Sequence, residues 1–345
     1  KMPAVGLDIS DQSIRFIELI PRGADYVLGR FGEKKIPIGV MESGKIKDTD
    51  GLKKILSSLN TEYKLSFVNV SLPEEQAYLF RMTLPYVKKN ELRGSIELQL
   101  EEYIPIRAEE AVFDYEIISE SERGYELEIS ALPRAVAESY FKLFSGTGLT
   151  PLVFEIEAQA IARAVITEKD SRTHMIIDFG ETRTGLSVVS GNVVMLTSTL
   201  DIGGRTLNAA IEKTFKVKPE EAERMKKEYG LVKSSVDKEF FFTLMHPISI
   251  LKDDVNKHFI YWHTHPEPGE KDRKKIDSII LCGGDSNLLG FSDYLAANLK
   301  VPVSVGNMWI NVNSFDDYVP EINLKDSLRY ATAIGLSLGS IHHND

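Results

Sequence analysis

Two short stretches of the chain place an aspartate at the end of an apolar strand and follow it with a polar turn. Asp8 comes after Val5–Leu7, and Asp178 comes after Met175–Ile177. Gly180 lets the backbone turn without a Cβ in the way, so the turn amides can surround a phosphate. Because Mg²⁺ keeps much of its hydration shell, the two aspartates can hold its waters while it bridges a polyphosphate. The pair therefore predicts a phosphate and magnesium site.

The two stretches align as a repeat, with Ser10 at the position of Gly180. Two related turns that face each other across a cleft can hold a polyphosphate from both lobes. In the first turn the expected ligand-binding residues are Asp8, Ser10, Asp11, Gln12, Ser13 and Arg15. In the second turn they are Asp178, Gly180, Glu181, Thr182, Arg183 and Thr184. The alternative is that both aspartates are ordinary carboxylates at strand ends.

A third turn follows the apolar strand Ser278–Leu281 and reads Cys282-Gly283-Gly284-Asp285-Ser286. Glycines at this place permit the flat approach of a purine, which a Cβ would block. We therefore expect Gly283, Gly284, Asp285 and Ser286 to contact the base of a nucleotide. A plain turn is the alternative.

Length and composition predict a globular protein of two large units. The chain has 345 residues, 43% of them hydrophobic and 27% charged, and no apolar stretch is long enough for a membrane span. A net charge of −10 argues against nucleic-acid binding. The single Cys282 excludes an internal disulfide, and a strand-like segment with Asp8 stands where a signal peptide would be apolar. We expect a cytoplasmic protein.

Hydrophobic periodicity predicts the elements that position the turns. The first lobe opens with an antiparallel meander of three strands, and a small-residue helix, Ala158–Ile166, should cross between the lobes. Asp50–Leu59 and Ile250–Tyr261 are predicted as further helices, and Ser327–Leu338 as a final helix buried against a sheet.

The stretch from Gln76 to Gly148 has a β-α-β-β-α pattern and is predicted to be a small inserted subdomain. Its helix, from about Lys88 to Glu102, has Leu92, Ile96, Leu100 and Tyr103 on one stripe, which predicts a core-facing side. Arg107 and Arg134, which are near this helix, are candidates for part of a peptide-binding surface.

These motifs together resemble the actin-like ATPase superfamily, and most closely its PilM family of type IV pilus assembly proteins. Val5–Leu19 is similar to the first phosphate motif, Met175–Ser190 to the second and Ile279–Leu289 to the adenosine motif. Glu157–Val165 and Tyr330–Gly339 resemble the two connecting helices. The resemblance implies an α/β, ribonuclease H-like fold of two lobes with a duplicated mixed sheet core, which binds ATP and Mg²⁺ between the lobes.

The insert and the second lobe carry the resemblance to the PilM branch. Ile104-Pro105, Asp114-Tyr115 and Ser130–Arg134 are similar to the block that replaces the usual second subdomain of lobe one. Gly203-Gly204 and Ala222–Lys226 are similar to a GG turn and an A-E-x-x-K helix shared by PilM and FtsA.

By this resemblance Glu223 and Lys226 reach the nucleotide ribose, with Gly203 and Gly204 at the same site. A solvated helix pair is the alternative for Glu223 and Lys226, which are one turn apart. The implied subdomains are 1–75 with 150–170 (lobe one core), 76–149 (insert), 171–205 with 278–345 (lobe two core) and 206–277 (helical part of lobe two).

Two residues depart from the superfamily pattern. Ser10 takes the glycine position of Asp-x-Gly, and Arg15 replaces a lysine with a flatter, forked donor. Hydrolysis in the superfamily needs a polar residue on the first connecting helix to position water, and Glu157 or Gln159 can serve. The resemblance therefore implies ATP binding with slow or absent turnover, in which the nucleotide locks the lobes together.

The function implied is a cytoplasmic scaffold that is peripheral at the inner membrane through its partners. It would bind the short cytoplasmic N-terminal tail of a PilN-like inner-membrane protein through the insert and its cleft with lobe one. Pilus motor ATPases and self-association are further candidates.

The alternatives are an FtsA-like filament or a small-molecule kinase of the same superfamily, although the sequence has no catalytic base motif of the sugar kinases. His263, His265, His342 and His343 lack a carboxylate or cysteine framework, which favours a solvated loop and tail over a metal site.

Overall fold

The computed structural model describes residues 4–122, 124–232, 238–266 and 273–342. Within this part of the chain the strands form two five-stranded sheets, one three-stranded sheet and one small hairpin. The hairpin consists of β4 (Met41–Glu42) and β5 (Lys45–Ile46). The two larger sheets are the centres of two lobes, as the repeat in the sequence predicts.

The first sheet begins with the predicted antiparallel meander of β1 (Val5–Ile9), β2 (Ser13–Arg22) and β3 (Asp25–Lys35). On the other side of β1, β6 (Phe67–Leu72) pairs in parallel, and β10 (Thr150–Ile156) pairs in parallel with β6. The order is β10-β6-β1-β2-β3, so β10 is an edge strand.

The second sheet repeats this topology strand by strand. Its meander is β11 (Thr173–Phe179), β12 (Thr184–Ser190) and β13 (Val193–Leu200), followed by β14 (Ser278–Cys282) and β15 (Val303–Val305) in parallel pairs. The order β13-β12-β11-β14-β15 matches that of the first sheet. The predicted duplication is confirmed, although β15 was not predicted, since three residues are too few to show a strand period.

The helices are α1 (Thr49–Tyr63), α2 (Leu92–Gln99), α3 (Arg134–Leu143), α4 (Glu157–Val165), α5 (Gly204–Phe215), α6 (Pro219–Tyr229), α7 (Lys238–Thr264), α8 (Phe291–Leu299), α9 (Leu324–Ser327) and α10 (Ala331–His342). The prediction of Ile250–Tyr261 was too short, because α7 begins twelve residues earlier and runs through Pro247. Across the described residues no helix is long and apolar enough to cross a membrane.

The contact between α4 and α10 lies at the centre of the molecule. Both helices belong to a core cluster that contains Ile17 and Leu19 of the first lobe and Ile176 and Val189 of the second. α10 also packs on β1, β2 and β6, so the predictions of a helix between the lobes and a final helix buried against a sheet are confirmed. Small residues let the two backbones touch, and a Cβ built on Gly335 would lie 1.7 Å from the carbonyl oxygen of Ala160.

The insert contains a sheet of β7 (Tyr78–Leu84), β8 (Ala111–Ser121) and β9 (Gly124–Pro133) in the order β7-β9-β8. One face of this sheet packs on the buried Leu92, Ile96 and Leu100. The predicted helix from Lys88 to Glu102 is divided into three pieces. These are α2 itself, a single 3₁₀ turn before it and a single 3₁₀ turn after it.

The prediction of Tyr103 on the buried stripe was wrong. Its side chain is 43% exposed and stacks on Phe80, with ring centroids 4.9 Å apart. The tighter turn that begins at Leu100 changes the helical phase, which carries Tyr103 off the stripe. α3 packs elsewhere, since Tyr140 and Leu143 are buried in the core of the first lobe.

The close contact of α4 and α10 predicts the effect of adding one methyl group. Gly335→Ala should lower the free energy of unfolding by about 1–3 kcal/mol, because the overpacking cost exceeds the gain in helix propensity. Gly94→Ala is the matched control, since Gly94 lies in α2 with nothing within 4 Å of its built Cβ. The control should stabilise by about 0.5–1 kcal/mol. Urea unfolding of both variants is the measurement, and equal effects would contradict the close contact.

Candidate functional site

Asp8 lies at the carboxyl end of β1 and is buried, with 5% of its surface exposed. It accepts a hydrogen bond of 3.1 Å from the hydroxyl of Ser71 on β6. Arg15 stands opposite it on β2, with Nη1 3.9 Å from Oδ2, and also pairs with Glu33 at 2.9 Å. Burial raises the pKa of Asp8, and the charge of Arg15 opposes that rise.

Asp178 occupies the corresponding position on β11, opposite Gly185 on β12. Burial, followed by the charge of Asp8, raises the pKa of Asp178 to about 6. Gly283 fits against it, since a Cβ there would lie 2.4 Å from Oδ1, and its φ of +86° also favours glycine. Asp8 and Asp178 therefore repel one another across a shared buried space, which a divalent cation would relieve.

The turn after Asp178 is held by the start of α5. The amide of Gly180 donates to the carbonyl of Arg183 at 3.0 Å, while the carbonyls of Gly180 and Glu181 accept from the amides of Gly204 and Arg205 at 2.9 and 2.8 Å. Gly203 must be small, because a Cβ on it would lie 2.5 Å from the carbonyl oxygen of Glu181. The glycine pair thus seats α5 on the turn that contains Thr182.

A second contact also holds α5 next to this turn, and it comes from the strand that follows the turn. The hydroxyl of Thr184 donates to the carbonyl of Ile202 at 2.6 Å, so the strand after the turn and the segment before α5 are tied together. The second turn is therefore held from both sides by hydrogen bonds of the protein itself.

The turn after Asp8 closes through Ser10 rather than through a glycine. The backbone amide and the hydroxyl of Ser10 both donate to the carbonyl of Ser13 at 3.0 Å. Ser10 is not among the described residues with positive φ, so the backbone at this position does not require glycine. Its hydroxyl adds a tie that a glycine could not make.

Arg183 and Arg205 link the second turn to the first lobe. Nη1 of Arg183 donates to Oδ2 of Asp11 at 3.3 Å, and the same guanidinium pairs with Glu75. Arg205 donates to Oε1 of Gln12 at 2.7 Å. Two arginines of the second lobe thus hold two residues of the first turn.

Three glutamates surround Arg183, of which Glu74 is buried and Glu75 and Glu157 are half-buried. Burial raises the pKa of Glu74, Glu75 and Glu157, and the charge of Arg183 opposes the rise in each. Glu74 also accepts a hydrogen bond from the backbone of Ser198 on the second lobe.

The sequence analysis missed Glu74 and Glu75. The available signal was their position directly after β6, because parallel strands end at the same sheet edge and β6 neighbours β1. That placement brings both carboxylates to the end of the sheet where Asp8 lies.

The two candidates for positioning water lie at different sites. Glu157, the first residue of α4, is close enough to Asp8, Glu74 and Glu75 for their charges to raise its pKa. Gln159 instead hydrogen-bonds to the carboxyl group of Glu128 in the insert. Only Glu157 is therefore at the strand ends that hold the aspartates.

The third turn forms a buried network with α6. Nζ of Lys226 lies 2.5 Å from Oδ1 of Asp285 and 2.7 Å from Oε2 of Glu223, and Lys226 is only 3% exposed. Burial would raise the pKa of Glu223, but hydrogen bonds from Lys226 and Asn208 lower it to about 2. The interpretation of a solvated helix pair was wrong.

The glycines next to this network leave room for Asp285. A Cβ on Gly204 would lie 2.1 Å from Oδ2 of Asp285, whereas the nearest atom to one on Gly284 would be 3.7 Å away. The hydroxyl of Ser286 donates to the carbonyl of Cys282. The start of α5, the third turn and α6 therefore meet at one place.

Within the described ranges no group of three or more His, Cys, Asp or Glu side chains is arranged to hold a metal ion directly. His263 bonds to the carbonyl of Phe259 at 2.8 Å, and His265 stacks on Tyr261. The prediction of a solvated loop was wrong for His263, which is half-buried within α7, whereas His265 just after the helix is exposed as predicted. Residues 267–271, His343 and the side chain of His342 lie outside the described residues.

A second concave feature, which we call the insert groove, lies between the insert sheet and the first lobe. Its first cavity, of about 510 Å³, is flanked by the edge strands β8 and β10. Apolar side chains along it are Val112, Leu132, Phe141, Val153 and Phe154. A second cavity of about 680 Å³ continues along α4 and shares Glu116, Glu128, Glu155 and Gln159 with the first.

Neither arginine proposed for a peptide-binding surface lines the groove. Arg107 pairs with Glu109 and Glu110, while Arg134 donates to the carbonyls of Glu109 and Ala111 at 3.2 and 3.0 Å.

Comparison with known proteins gives a family and a fold. The family model described as "Type IV pilus assembly protein PilM" matches residues 6–341. A chain of a "PilM-PilN type IV pilus biogenesis complex" is similar with a TM-score of 0.82 and 21% identity, and 99% of each chain is covered. At this identity the similarity demonstrates the fold alone.

Two more distant structures share the architecture. MreB 5 of Spiroplasma citri bound to AMPPNP has a TM-score of 0.58 at 14% identity, over 99% of this chain and 97% of that one. The ethanolamine utilization protein EutJ from Carboxydothermus hydrogenoformans has a TM-score of 0.57 at 16% identity, over 97% and 89%. The predicted actin-like, two-lobe α/β fold is confirmed.

The position of Arg183 among buried carboxylates predicts a large and pH-dependent loss of stability when it is removed. Arg183→Gln should lower the free energy of unfolding by about 3 kcal/mol or more at pH 8, because the carboxylates lose their counter-charge. The loss should shrink at pH 5, where the glutamates with raised pKa take up protons. Urea unfolding at both pH values is the measurement.

The matched control is Arg205→Gln. Arg205 also bridges the lobes, but its side chain is half exposed, so we expect a change within about 0.5 kcal/mol. Equal losses in the two variants, or a loss that does not depend on pH, would show that Arg183 does not neutralise the cluster.

Proposed function

The chain belongs to the type IV pilus assembly protein PilM family, and we propose that it acts as an ATP-binding scaffold for a PilN-like inner-membrane protein. In this proposal the short cytoplasmic N-terminal tail of that protein lies in the insert groove. The chain would be cytoplasmic and peripheral at the inner membrane through this partner. Pilus motor ATPases and self-association remain candidate further contacts, and the four subdomain boundaries given above belong to the same proposal.

The observation that carries the proposal is the insert groove with an edge strand on either side. An edge strand has backbone groups available on one side, and an extended peptide can pair with them while its side chains enter pockets. A volume of about 510 Å³ is in the range of pockets that enclose a few side chains. The chain of a PilM-PilN complex with the same fold supports this choice of partner.

We further propose that ATP lies between the lobes at the three turns. The turns after Asp8 and Asp178 would hold its phosphates, and the two carboxylates would hold Mg²⁺ through its waters. Their mutual repulsion supports a cation there, and MreB 5, which shares the fold, was solved bound to AMPPNP.

The remaining parts of the nucleotide would meet the second lobe. Glu223 and Lys226 would contact the ribose, and the loop from Gly283 to Ser286 the base. The close fit of Gly283 against Asp178 supports a loop that brings backbone, rather than side chains, to the cleft.

We propose that hydrolysis is slow or absent. Glu157 is the residue at this cleft that would position water, but burial raises its pKa well above the usual range. While this carboxyl holds its proton, it cannot accept another from the attacking water. Nucleotide would then serve mainly to hold the lobes together.

The partner proposal predicts direct peptide binding. A synthetic peptide with the cytoplasmic N-terminal sequence of the PilN-like protein of the same organism should bind with micromolar or tighter affinity in calorimetry. Phe141→Ser should weaken binding about tenfold or more, because Phe141 lines the groove with 68% of its surface exposed. Leu98→Ser is the control, since Leu98 is also an exposed apolar residue of the insert, at 88%, but does not line the groove. No heat with the wild-type protein would rule out this partner.

The nucleotide proposal predicts that protection by Mg-ATP depends on Asp178 and on pH. Asp178→Asn should abolish most of the rise in melting temperature that Mg-ATP gives, whereas the exposed Asp317→Ala should retain it. In the wild type, protection should decline as the pH falls through about 6, where Asp178 takes up a proton.

The protein without nucleotide should respond in the opposite direction. Its native state binds this proton more tightly than the unfolded chain, so the contribution of Asp178 to stability is lost as the pH rises from about 4 to about 6. Differential scanning fluorimetry across this range is the measurement. Unchanged Mg-ATP protection in Asp178→Asn would show that the carboxylate does not hold the metal.

A further inference from the structure

The insert groove changes chemically along its length. Three cross-strand pairs of β8 and β9 face it in succession, and all six side chains line the first cavity. The pairs are Val112 with Leu132, Asp114 with Ser130, and Glu116 with Glu128. One end of the groove is therefore apolar, the middle is polar and the other end is acidic.

Glu128 at the acidic end is buried without a full set of partners. Only 6% of its surface is exposed, and its Oε1 has no hydrogen-bond partner among the described residues. Burial, followed by the charge of Glu116, raises its pKa to about 8, although Gln159 donates a hydrogen bond to the carboxyl group. A buried carboxyl oxygen with no donor is costly, which is a reason to look for a ligand that supplies one.

The cations near Glu128 are engaged with other groups. Arg163 donates to Oε2 of Glu155 and to the carbonyl of Gly335, both at 2.9 Å. Arg81, the cross-strand neighbour of Glu128 on β7, pairs with Glu126. The charge of Arg81 lowers the pKa of Glu128, but burial and the charge of Glu116 still leave that pKa raised, so a further cation at this end of the groove would favour the ionised carboxylate.

Arg93 of α2 also lines the first cavity, next to Phe113 of β8. The guanidinium of Arg93 is over the ring of Phe113, 4.5 Å from the centroid, and donates to the carbonyl of the same residue at 3.1 Å. Arg93 therefore has its own contacts.

We propose that the insert groove selects an extended peptide segment that carries an apolar side chain and, four residues away, an arginine or lysine. The apolar side chain would lie at Val112 and Leu132, and the cation would lie between Glu116 and Glu128. This inference rests on the proposed function, because it names the chemistry of the tail that the groove binds.

The spacing follows from strand geometry. Val112 and Glu116 are four residues apart on one strand, which corresponds to about 13 Å. A peptide that runs beside β8 in an extended conformation advances at the same rate per residue, and its side chains at positions four apart point the same way. A spacing of three residues would direct the cation to the opposite side.

An arginine or lysine supplies what Glu128 lacks. The guanidinium or ammonium donates to the unpartnered Oε1, and its charge lowers the pKa of Glu128, so the carboxyl gives up its proton as the cation binds beside Glu116. Hydrogen bonds between ionised partners are roughly twice as strong as neutral ones. The long aliphatic stem of either side chain can lie along the groove wall.

The test uses the full-length protein and three acetylated nine-residue peptides in calorimetry. One peptide carries Leu and Arg four positions apart, the second has citrulline in place of Arg, and the third has Leu and Arg three positions apart. The first should bind at least about tenfold more tightly than the other two. Equal affinity of the Arg and citrulline peptides would overturn the proposal.

Glu128→Gln tests the residue with little change in shape, and Glu97→Gln, an exposed glutamate of α2, is its control. Glu128→Gln should remove the preference for Arg over citrulline, and Glu97→Gln should keep it. If the preference survives Glu128→Gln, the assignment of the cation to Glu128 is wrong.

The tail peptide of the PilN-like protein, measured alongside, separates this inference from the proposed function. If the tail binds but the preference for arginine is missing, the inference fails and the function stands. If the Leu and Arg peptide binds through Glu128 but the tail does not, the partner is wrong and the inference stands. If neither peptide binds, both are overturned.

Discussion

The pairing of Arg183 with carboxylates from the other lobe is the interaction on which the polar centre of this structure depends. Burial of Asp11, Glu75 and Glu157 at one place would be strongly unfavourable without a counter-charge. Arg183 comes from the second of the two related turns, so its pairing sets the distance between those turns. The relative position of the two aspartates, and the space that a polyphosphate would occupy, follow from it.

Strands, helices and turns that leave a pattern in neighbouring residues were predictable from the sequence. Contacts between residues that only the sheet topology brings together were not. Short apolar runs that end at an aspartate predicted the first strand of both meanders, and the matching positions of Asp8 and Asp178 predicted the duplication. Glu74 and Glu75 look like an exposed acidic turn, because only the parallel pairing of β6 with β1 puts them beside Asp8. The prediction that Tyr103 is buried was wrong for a similar reason, since the spacing of apolar residues does not show a change from α-helical to 3₁₀ geometry. Contact of Glu223 and Lys226 with a ribose stays a prediction.

Helix α4 takes part in both candidate sites. Glu157, in its first turn, lies among the acids around Arg183, and Gln159, two residues later, lies against Glu128 in the insert groove. Residues two apart on a helix point in widely different directions, so one short rigid element presents a polar group to each site. The proposed nucleotide cleft and the insert groove therefore share α4 as a wall.

The packing of α10 on β1 also constrains the order in which the protein can acquire its native structure during synthesis. The amide of Gly6 donates to the hydroxyl of Ser337 at 2.9 Å, across 331 positions of sequence. The hydroxyl of Ser337 in turn donates to the carbonyl of Ile17 at 2.5 Å. β1 is thus covered by a helix that leaves the ribosome much later than β1 does. The first lobe therefore cannot complete its packing until the second lobe has been translated, because one face of β1 stays uncovered until then.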